Sequence, residues 1–346
     1  MVAIPGPLAH PHGWPDDAAG VVVHRGPLLV EYRDEEPQCL DGAVTVSWAG
    51  RPRLTWQAVP TESEQSLLAR LLHGEDAPVS VAAPLDPSGQ GLLRGGPNVP
   101  PEGRVVGGRV PGGRLETGDR QVLDSLDFLL PNGPRAFDLG LVRDAADSDQ
   151  GHHGRMSTTG GGWSVTVDQH PRADQVFSDL DERGGYRVTH MARLMRTDGS
   201  LFDARDALAD AHGVAAAYSF AAGHRCAPVL LAGSAGCTVM WAEASHPSAD
   251  PWTDRVRWTD PTNMHAQLVS VVSGWLDQWS DPSQRLVLRL ALGYHLGASN
   301  GSPADMAVLA GIAGLVLLSE ARYVGGTGSR RAGGKGFTPA GRSVGC

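Results

Sequence analysis

The hydrophobic pattern of this chain changes its period near residue 199, and that change constrains the fold more than any other feature. Before it, apolar and polar residues alternate in runs such as WSVTVDQH (163–170) and YRVTHMARLMR (186–196), which is typical of half-buried strands. After it, LFDARDALADAHGVAAAYSFAAG (201–223) carries apolar residues at helical spacing and ends at a glycine. The sequence therefore predicts an α+β protein.

The residues before 200 predict a β-rich N-terminal domain, 1–199, with long Gly/Pro-rich loops. Residues 19–60 contain GVVVHR, PLLVEYR and two alternating runs around a Gly-Arg-Pro turn, and all of these favour strands. Gly, Pro and Arg dominate 77–120, so we expect a loop there with one or two strands at most. QVLDSLDFLLPNG (121–133) predicts a strand that ends in a Pro-Asn-Gly turn, whereas 143–162 predicts a mobile polar loop.

The residues from 200 to 324 predict a smaller helical region that contains a β-hairpin. APVLLAG and CTVMWAEA, within 227–244, are the two strands of that hairpin. Helices are predicted over about 281–299 and 303–323, and the short joint SNGSP makes them antiparallel. The last segment, 325–346, has no acidic residue and few apolar side chains, which predicts a disordered Gly/Arg-rich tail.

The charge and cysteine content argue against several classes of protein. The formal net charge is −9, so nucleic-acid binding would need a local basic patch, and none is visible before residue 325. The four cysteines include no C-x-x-C pair, which argues against a zinc site and fits unpaired thiols in a reducing cytoplasm. The N-terminus does not read as a signal peptide, and the apolar run 307–319 is too short to cross a bilayer. We expect a cytoplasmic protein with no membrane contact and no cofactor.

Several short motifs between residues 186 and 324 resemble one bacterial family. They are the strand with His190 and Arg193, the Asp198-Gly199 turn, the helix end Ser-Phe-Ala-x-Gly (219–223), a hairpin with Trp241, GWLDQW (274–279) and YHLGASN (294–300) before an apolar helix with Glu320. The set resembles the ApeA-type family. That resemblance implies a β-rich N-terminal domain followed by a helical HEPN domain, and a role in phage defence.

The resemblance also implies a nuclease motif, Arg-Asn-x-x-x-His, beyond the last of these helices. The chain departs from the family pattern at Gly325 and contains no such motif. We therefore expect an incomplete HEPN-like region, as in a truncated or frameshifted relative. Its apolar helix over 303–323 would expose one face and favour a homodimer, while a protein or RNA partner stays open.

Arg289 and His295, at the two ends of RLALGYH, are the candidate catalytic pair, because HEPN ribonucleases carry an Arg-(x)4–6-His signature. On one helix, at about 100° per residue, six positions separate the two side chains by about 240°. They cannot readily converge within one chain, although two protomers could bring them together. The alternative is a solvated Arg289 and a His295 that is stabilised near the helix end.

Other residues are weaker candidates. His152 and His153 could hold a metal in the polar loop, but adjacent histidines point apart and no third ligand is specified. His190 and Arg193 fall on opposite faces of a strand, where they would anchor a domain junction rather than act in acid-base chemistry. Tryptophans, among them Trp241, Trp275 and Trp279, could stack on a base or sugar, but core positions are the commoner role.

Two functions follow as hypotheses. The first is a non-catalytic recognition or interaction protein, a truncated relative of the ApeA-type family. The second is a HEPN-type RNA-cleaving enzyme that uses Arg289 and His295 across a dimer.

Overall fold

The computed structural model of the chain describes sixteen separate stretches of residues. They are residues 8, 10, 14, 20–32, 38–47, 53–59, 78–82, 106–109, 114–118, 122–136, 140–143, 151–236, 238–245, 248–253, 264–299 and 311–315.

The chain divides into two compact units, Met1–Asp281 and Pro282–Cys346. This division differs from the boundary predicted near residue 199. The difference arises because the hairpin after residue 227 pairs with strands of the N-terminal half in a single sheet, so the two regions share one core. The first unit combines sheets and helices, which confirms the predicted α+β class.

Two antiparallel sheets form the frame of the first unit. In the small sheet the strands lie in the order β4-β1-β2-β3-β5. Its strands are β1 (Gly20–Tyr32), β2 (Gln38–Ser47), β3 (Arg53–Val59), β4 (Pro78–Ala82) and β5 (Val106–Arg109).

In the large sheet the order is β6-β13-β12-β7-β11-β10-β9-β8. Its strands are β6 (Arg114–Gly118), β7 (Ser125–Pro131), β8 (Gly140–Arg143), β9 (Gly151–Gly160), β10 (Trp163–Gln169), β11 (Val188–Arg196), β12 (Val229–Ala235) and β13 (Thr238–Ser245).

The large sheet is the middle of three layers. The helices of this unit are α1 (Ala173–Arg183), α2 (Ala204–Ala222) and α3 (Met264–Trp279). One face of the sheet packs on α2 and α3, with Phe128 of β7 in that core, and the other face packs on the small sheet, with Leu129 in a second core. Because β7 is buried on both faces, its sequence reads as an apolar run rather than as an alternation.

The strand predictions are confirmed in part. The segments over 20–59 form β1, β2 and β3, the hairpin after residue 227 is β12 and β13, and β7 ends at the predicted turn. The loop predictions are wrong in two places. Residues 77–120 contain β4, β5 and β6, and half of 143–162 is β9, because pairing with neighbouring strands holds Gly-rich and polar segments extended there.

The helix α2 follows the predicted boundaries because both of its ends carry capping signals. The Asp203 carboxylate accepts a hydrogen bond from the Arg205 N–H at 2.7 Å, which caps the N-terminus. Gly223 has a φ of 72°, and its N–H donates to the Ser219 carbonyl at 2.9 Å. The many alanines between the caps let the helix lie close against the sheet.

We expect Gly213→Ala to destabilise the first unit by about 1 kcal/mol net, because overpacking outweighs the gain in helix propensity. A Cβ at Gly213 would lie 2.8 Å from a ring carbon of Trp279, whose indole N–H donates to the Ala209 carbonyl at 2.8 Å. Urea unfolding checks this result. The matched control is Gly274→Ala on α3, where a Cβ meets no described atom within 4 Å and should stabilise the protein. Equal effects of the two substitutions would contradict the packing explanation.

The second unit contains the predicted helix near 281–299, which is α4 (Pro282–Ser299). Of the helix predicted over 303–323, residues 311–315 are helical and the other residues lie outside the described part of the chain. A Cβ at Gly314 would lie 3.4 Å from Cβ of Tyr294, so this short helical stretch packs against α4. The predicted tail, 325–346, also lies outside the described residues. Among the helices that the structure describes, none is long and apolar enough to cross a membrane.

Candidate functional site

Several buried polar side chains surround Asn132, where β7 ends. The Asn132 side-chain amide donates to the carbonyls of Gly185 and Asp250 at 3.0 and 2.9 Å. Its side-chain oxygen accepts the Arg187 N–H at 3.1 Å, and its own backbone N–H donates to the Arg187 carbonyl at 2.9 Å. Asn132 is fully buried, so these bonds replace water for every polar atom of its amide group.

The backbone of Asn132 explains why asparagine suits this position. Its φ is 55°, in the left-handed region that most side chains avoid and that asparagine tolerates. The Pro-Asn-Gly turn predicted from the sequence therefore forms, and it also serves as a junction between β7 and the segments at 185–187 and 250.

The Asn132 carbonyl links the strand end to the end of α2. It accepts a hydrogen bond from Nε2 of His224 at 2.6 Å and a longer one from the Cys226 thiol at 3.3 Å. The Ser219 hydroxyl donates to the Ala215 carbonyl at 2.7 Å and accepts the Cys226 N–H at 2.8 Å. Because a carbonyl can only accept, the His224 proton resides on Nε2.

His190 is held in one tautomer by Thr189. The Thr189 hydroxyl donates to the Leu130 carbonyl at 3.2 Å and accepts the Gly133 N–H at 2.7 Å. Its remaining lone pair can only accept, so His190 donates to it from Nδ1, 2.9 Å away. Nε2 of His190 is then a bare acceptor, and it is buried without a hydrogen-bond partner among the described residues.

Close packing encloses the His190 ring. The ring meets Tyr218 of α2 edge-on, with centroids 5.3 Å apart. A Cβ at Gly133 would lie 2.4 Å from Nδ1 of His190, so only glycine leaves room for the ring on that side. We call the set Asn132, Thr189, His190, Ser219, His224 and Cys226 the Asn132 cluster.

Burial shifts the pKa values of the titratable groups in the Asn132 cluster, and of the neighbouring Tyr218, in directions that disfavour catalysis. It lowers the pKa of His190 to about 3, assisted by the nearby charge of His170, and it lowers the pKa of His224 against the opposing effect of the Asn132 carbonyl. Burial also raises the pKa of the Cys226 thiol and of the Tyr218 hydroxyl. A general base needs a pKa near the working pH, and a nucleophilic cysteine needs a lowered one. The arrangement is suited to holding elements together rather than to moving protons.

A second polar group lies on the opposite face of the large sheet. Arg193 of β11 forms two hydrogen bonds with Asp127 of β7, at 2.7 and 2.9 Å, and Arg155 of β9 forms two with Asp168 of β10, both at 2.6 Å. Asp168 also accepts the backbone N–H of Leu8 at 2.8 Å, so an N-terminal residue lies against this face. We call these four charged residues the ion-pair row.

The ion pairs of this row are buried to different extents. The Asp168 and Asp127 side chains are almost fully enclosed, whereas 32% of the Arg193 side chain is exposed. Burial raises the pKa of Asp127 although the Arg193 guanidinium opposes the change, and the Asp127 carboxylate raises the pKa of Arg193. The row pairs two carboxyl groups with two guanidinium groups, and it ties β7 to β11 and β9 to β10.

The predicted candidates His190 and Arg193 therefore lie in two different groups on opposite faces of β11. His190 joins β11 to α2, and Arg193 joins β11 to β7. They were predicted to anchor a junction between domains, and the contacts they make lie within one compact unit.

Arg289 and His295 lie on α4, six residues apart on one continuous helix. Arg289 is exposed and His295 is half-buried. At about 100° per residue they face different directions on this helix. His152 and His153 are part of β9 rather than of a loop, and their side chains lie outside the described part of the structure.

The tryptophan candidates are core residues. Trp241 and Trp279 are only 1% and 4% exposed, so neither indole face is open to a base or sugar. Trp275 is half-buried and lies beside Trp279, with ring centroids 6.4 Å apart. In the described part of the chain, no group of three or more His, Cys, Asp or Glu side chains is placed to hold a metal ion.

Sequence reasoning missed most of the Asn132 cluster and the ion-pair row. One signal was present, because Asp127 and Asp168 interrupt apolar strand sequences, and a carboxylate at such a position needs a partner. Arg193, the partner of Asp127, comes from a strand distant in sequence, whereas Arg155, the partner of Asp168, comes from the preceding strand β9. His224 and Cys226 belong to no sequence motif that would have indicated their positions in the cluster.

Comparison with known proteins finds sequence similarity in the part of the chain that contains these two groups. The family described as the YopA central domain matches residues 118–255, a range that contains β7 to β13, the Asn132 cluster and the ion-pair row. A relative from Bacillus subtilis (strain 168), the SPbeta prophage-derived uncharacterized protein YopA, is 28% identical over 160 residues. The chain is similar to a prophage protein.

The extent of that similarity is limited. It covers 43% of this chain and 36% of the YopA protein, so the chain spans about a third of the length of that relative. No solved structure matches. The predicted resemblance to a phage-related family is confirmed at this coarser level only, because neither match names an ApeA-type or HEPN protein.

Proposed function

We propose that this chain is a non-catalytic recognition or interaction protein related to bacterial phage-defence proteins of the ApeA type. The non-catalytic part of this proposal rests on the burial of the Asn132 cluster. Its histidines and thiol are the groups that catalysis most often uses, and burial keeps them neutral at physiological pH.

The cluster and the ion-pair row both stabilise the fold. The cluster links β7 to the end of α2, and Arg193 of the row links β11 to β7, so both connect elements that are distant in sequence. A rigid scaffold of this kind supports recognition by its surface, because the surface is where adaptable contacts can form. The similarity to a prophage-derived protein supports a role in phage biology.

The opposing hypothesis is a HEPN-type RNA-cleaving enzyme. It requires Arg289 and His295 to act together. Because the two side chains face different directions on α4, Arg289 of one subunit would have to meet His295 of another. The formal net charge of −9 also disfavours RNA binding away from a local basic patch.

Incubation of the purified protein with transfer RNA and total RNA tests the non-catalytic proposal. We expect wild type and an Arg289→Ala variant to leave both substrates as intact as a buffer control does, because burial disfavours catalysis by the histidines and thiol of the Asn132 cluster. The measurement is the length distribution of the RNA on a denaturing gel. Cleavage by the wild type that disappears in Arg289→Ala and in His295→Ala would overturn the proposal and establish the enzyme.

Plaque formation tests the phage-related part. Cells that express the chain should yield fewer plaques with at least one of a panel of phages than cells that carry an empty vector. An unchanged count across the panel, in cells shown to contain the folded protein, would refute the defence role and leave the non-catalytic assignment intact.

A further inference from the structure

The pair Asn132-Gly133 is a dipeptide at which a protein chain readily loses a side-chain amide group. The backbone nitrogen that follows an asparagine can attack its side-chain amide, and a glycine at that position has no Cβ to hinder the attack. Asparagine is accordingly counted among the thermolabile residues. Asn132 and Asn300 are the asparagines of this chain that glycine follows, and the first of them lies at the centre of the Asn132 cluster.

The fold requires both residues of this pair. Asn132 has a φ of 55°, and its side chain supplies two donated hydrogen bonds and one accepted one. A Cβ at Gly133 would collide with the imidazole of His190, so a larger residue does not fit there. The labile pair is therefore a consequence of the way in which β7 ends.

The same contacts oppose the reaction while the chain is folded. The nucleophile is the Gly133 nitrogen, whose N–H donates to the Thr189 hydroxyl at 2.7 Å. The electrophile is Cγ of Asn132, and three hydrogen bonds hold the amide group that contains it. Asn132 is also fully buried, which keeps water away. Ring closure needs the side chain to rotate towards Gly133, and this rotation would break the bonds of the amide group.

We propose that Asn132 is a deamidation site that reacts only when the Asn132 cluster opens, and that its conversion prevents the chain from regaining the native fold. Opening of the first unit is thereby recorded as a covalent change. This inference goes beyond the proposed function and does not depend on whether the chain recognises a partner.

The reaction needs water and no other reagent. The Gly133 nitrogen forms a bond to Cγ of Asn132, the bond between Cγ and Nδ2 breaks, and Nδ2 leaves as ammonia with the proton of the Gly133 nitrogen. The product is a cyclic imide. One water molecule then opens the imide at either carbonyl and gives aspartate or isoaspartate. In isoaspartate the main chain continues through the former side-chain carbonyl.

Neither product fits the site. A carboxylate only accepts hydrogen bonds, and it would face the carbonyls of Gly185 and Asp250, which also only accept. It would also place a negative charge at a fully buried position. Isoaspartate lengthens the main chain by one methylene just before Gly133, whose N–H has to reach Thr189. The converted chain should therefore stay open.

Peptide mapping by mass spectrometry measures conversion at Asn132 in the unfolded and the folded protein. In guanidinium chloride Asn132 should convert on the timescale of Asn300, which shows that the unfolded pair is labile. In native buffer the conversion at Asn132 should be at least about a hundredfold slower, because it is limited by the fraction of molecules whose cluster is open. No conversion in denaturant, or equal rates with and without it, would overturn the inference.

Thr189→Val tests whether the hydrogen bond to the Gly133 nitrogen contributes to the protection. The substitution keeps the shape of the side chain and removes the acceptor, so conversion in native buffer should become at least about tenfold faster, with the rate in denaturant unchanged. The matched control is Thr197→Val, because Thr197 is exposed, follows the opposite end of β11 and donates to the Gly162 carbonyl. Equal native rates for the two variants would contradict the protection assigned to Thr189.

Refolding tests whether the conversion is irreversible. Protein kept in guanidinium chloride for increasing times is diluted into native buffer, and the folded fraction is separated by size-exclusion chromatography. Asn132 should be almost wholly unconverted in the folded fraction, whereas the converted chains should collect in the misfolded fraction. Similar conversion at Asn132 in both fractions would refute the irreversible step.

The variant Asn132→Asp reproduces one product directly. Its folding equilibrium constant at about pH 8 should be at least about tenfold smaller than that of Asn132→Gly, which loses the same side-chain donors and buries no charge. Failure of Asn132→Asp to fold under conditions where Asn132→Gly folds would give the same answer. An aspartate variant as stable as the glycine variant would show that the fold accepts the product.

Discussion

Asn132→Ala will lower the free energy of unfolding of the first unit by about 4 kcal/mol, because three backbone groups of half-buried residues lose their partners and alanine is strained at positive φ. The groups are the carbonyls of Gly185 and Asp250 and the N–H of Arg187. The measurement is urea unfolding followed by tryptophan fluorescence. All nine tryptophans precede Asp281, so this signal reports on the first unit.

Asn132→Gly separates the two causes. Glycine loses the same side-chain hydrogen bonds but adopts the 55° φ without strain, so it should be about 1 kcal/mol more stable than the alanine variant. If Asn132→Ala does not fold, the glycine variant still measures the hydrogen-bond contribution. Unfolding midpoints within error of wild type for both variants would show that Asn132 is not a structural junction.

Acid should destabilise the first unit through His190. Its pKa is about 3 in the folded protein and has the ordinary value near 6.5 in the unfolded chain. Between these two values the unfolded state binds a proton that the folded state does not, so stability is complete above about pH 6.5 and falls as the pH decreases. From about pH 7.5 to about pH 5 the loss attributable to His190 should be about 2 kcal/mol.

The variant His190→Gln isolates this effect. It removes the titrating ring and keeps an N–H donor for Thr189, so it should be less stable than wild type at pH 7.5 yet lose about 2 kcal/mol less on acidification. His224 contributes to the acid sensitivity of both proteins in the same direction, because burial also lowers its pKa. The control is His212→Gln on the exposed side of α2. If His190→Gln and His212→Gln show the same pH dependence as wild type, His190 does not stay neutral in the fold.

Local sequence patterns predicted the elements whose structure depends on near neighbours. The end of α2 was predicted from Gly223, which caps the helix regardless of what packs on it, whereas the N-cap role of Asp203 became clear only from the structure. The turn after β7 follows from Asn132 and Gly133, and the hairpin of β12 and β13 from its alternating strands. In each case the stabilising contacts lie within a few residues, so the sequence carries the information.

The loop prediction over 77–120 failed for the opposite reason. The strands β4 and β5 have weak propensities of their own, and their hydrogen bonds come from β1 and β3 elsewhere in the chain. The loop prediction over 143–162 failed although β9 pairs with the next strand, β10, because the polar, glycine-containing sequence of β9 has no apolar alternation. The same limit applies to the candidate site. The ion-pair row is assembled from four strands, and the Asn132 cluster from the ends of β7 and α2 and the start of β11.

The sequence by itself determined the α+β class, the glycine end of α2 and the turn at Asn132, because each is visible in local sequence patterns. Only the tertiary structure decided that His190 is buried and neutral and that Asp127 and Asp168 have guanidinium partners. The physical reason is that burial and pairing depend on which distant segments meet, and these two conditions fix the charge state of a side chain.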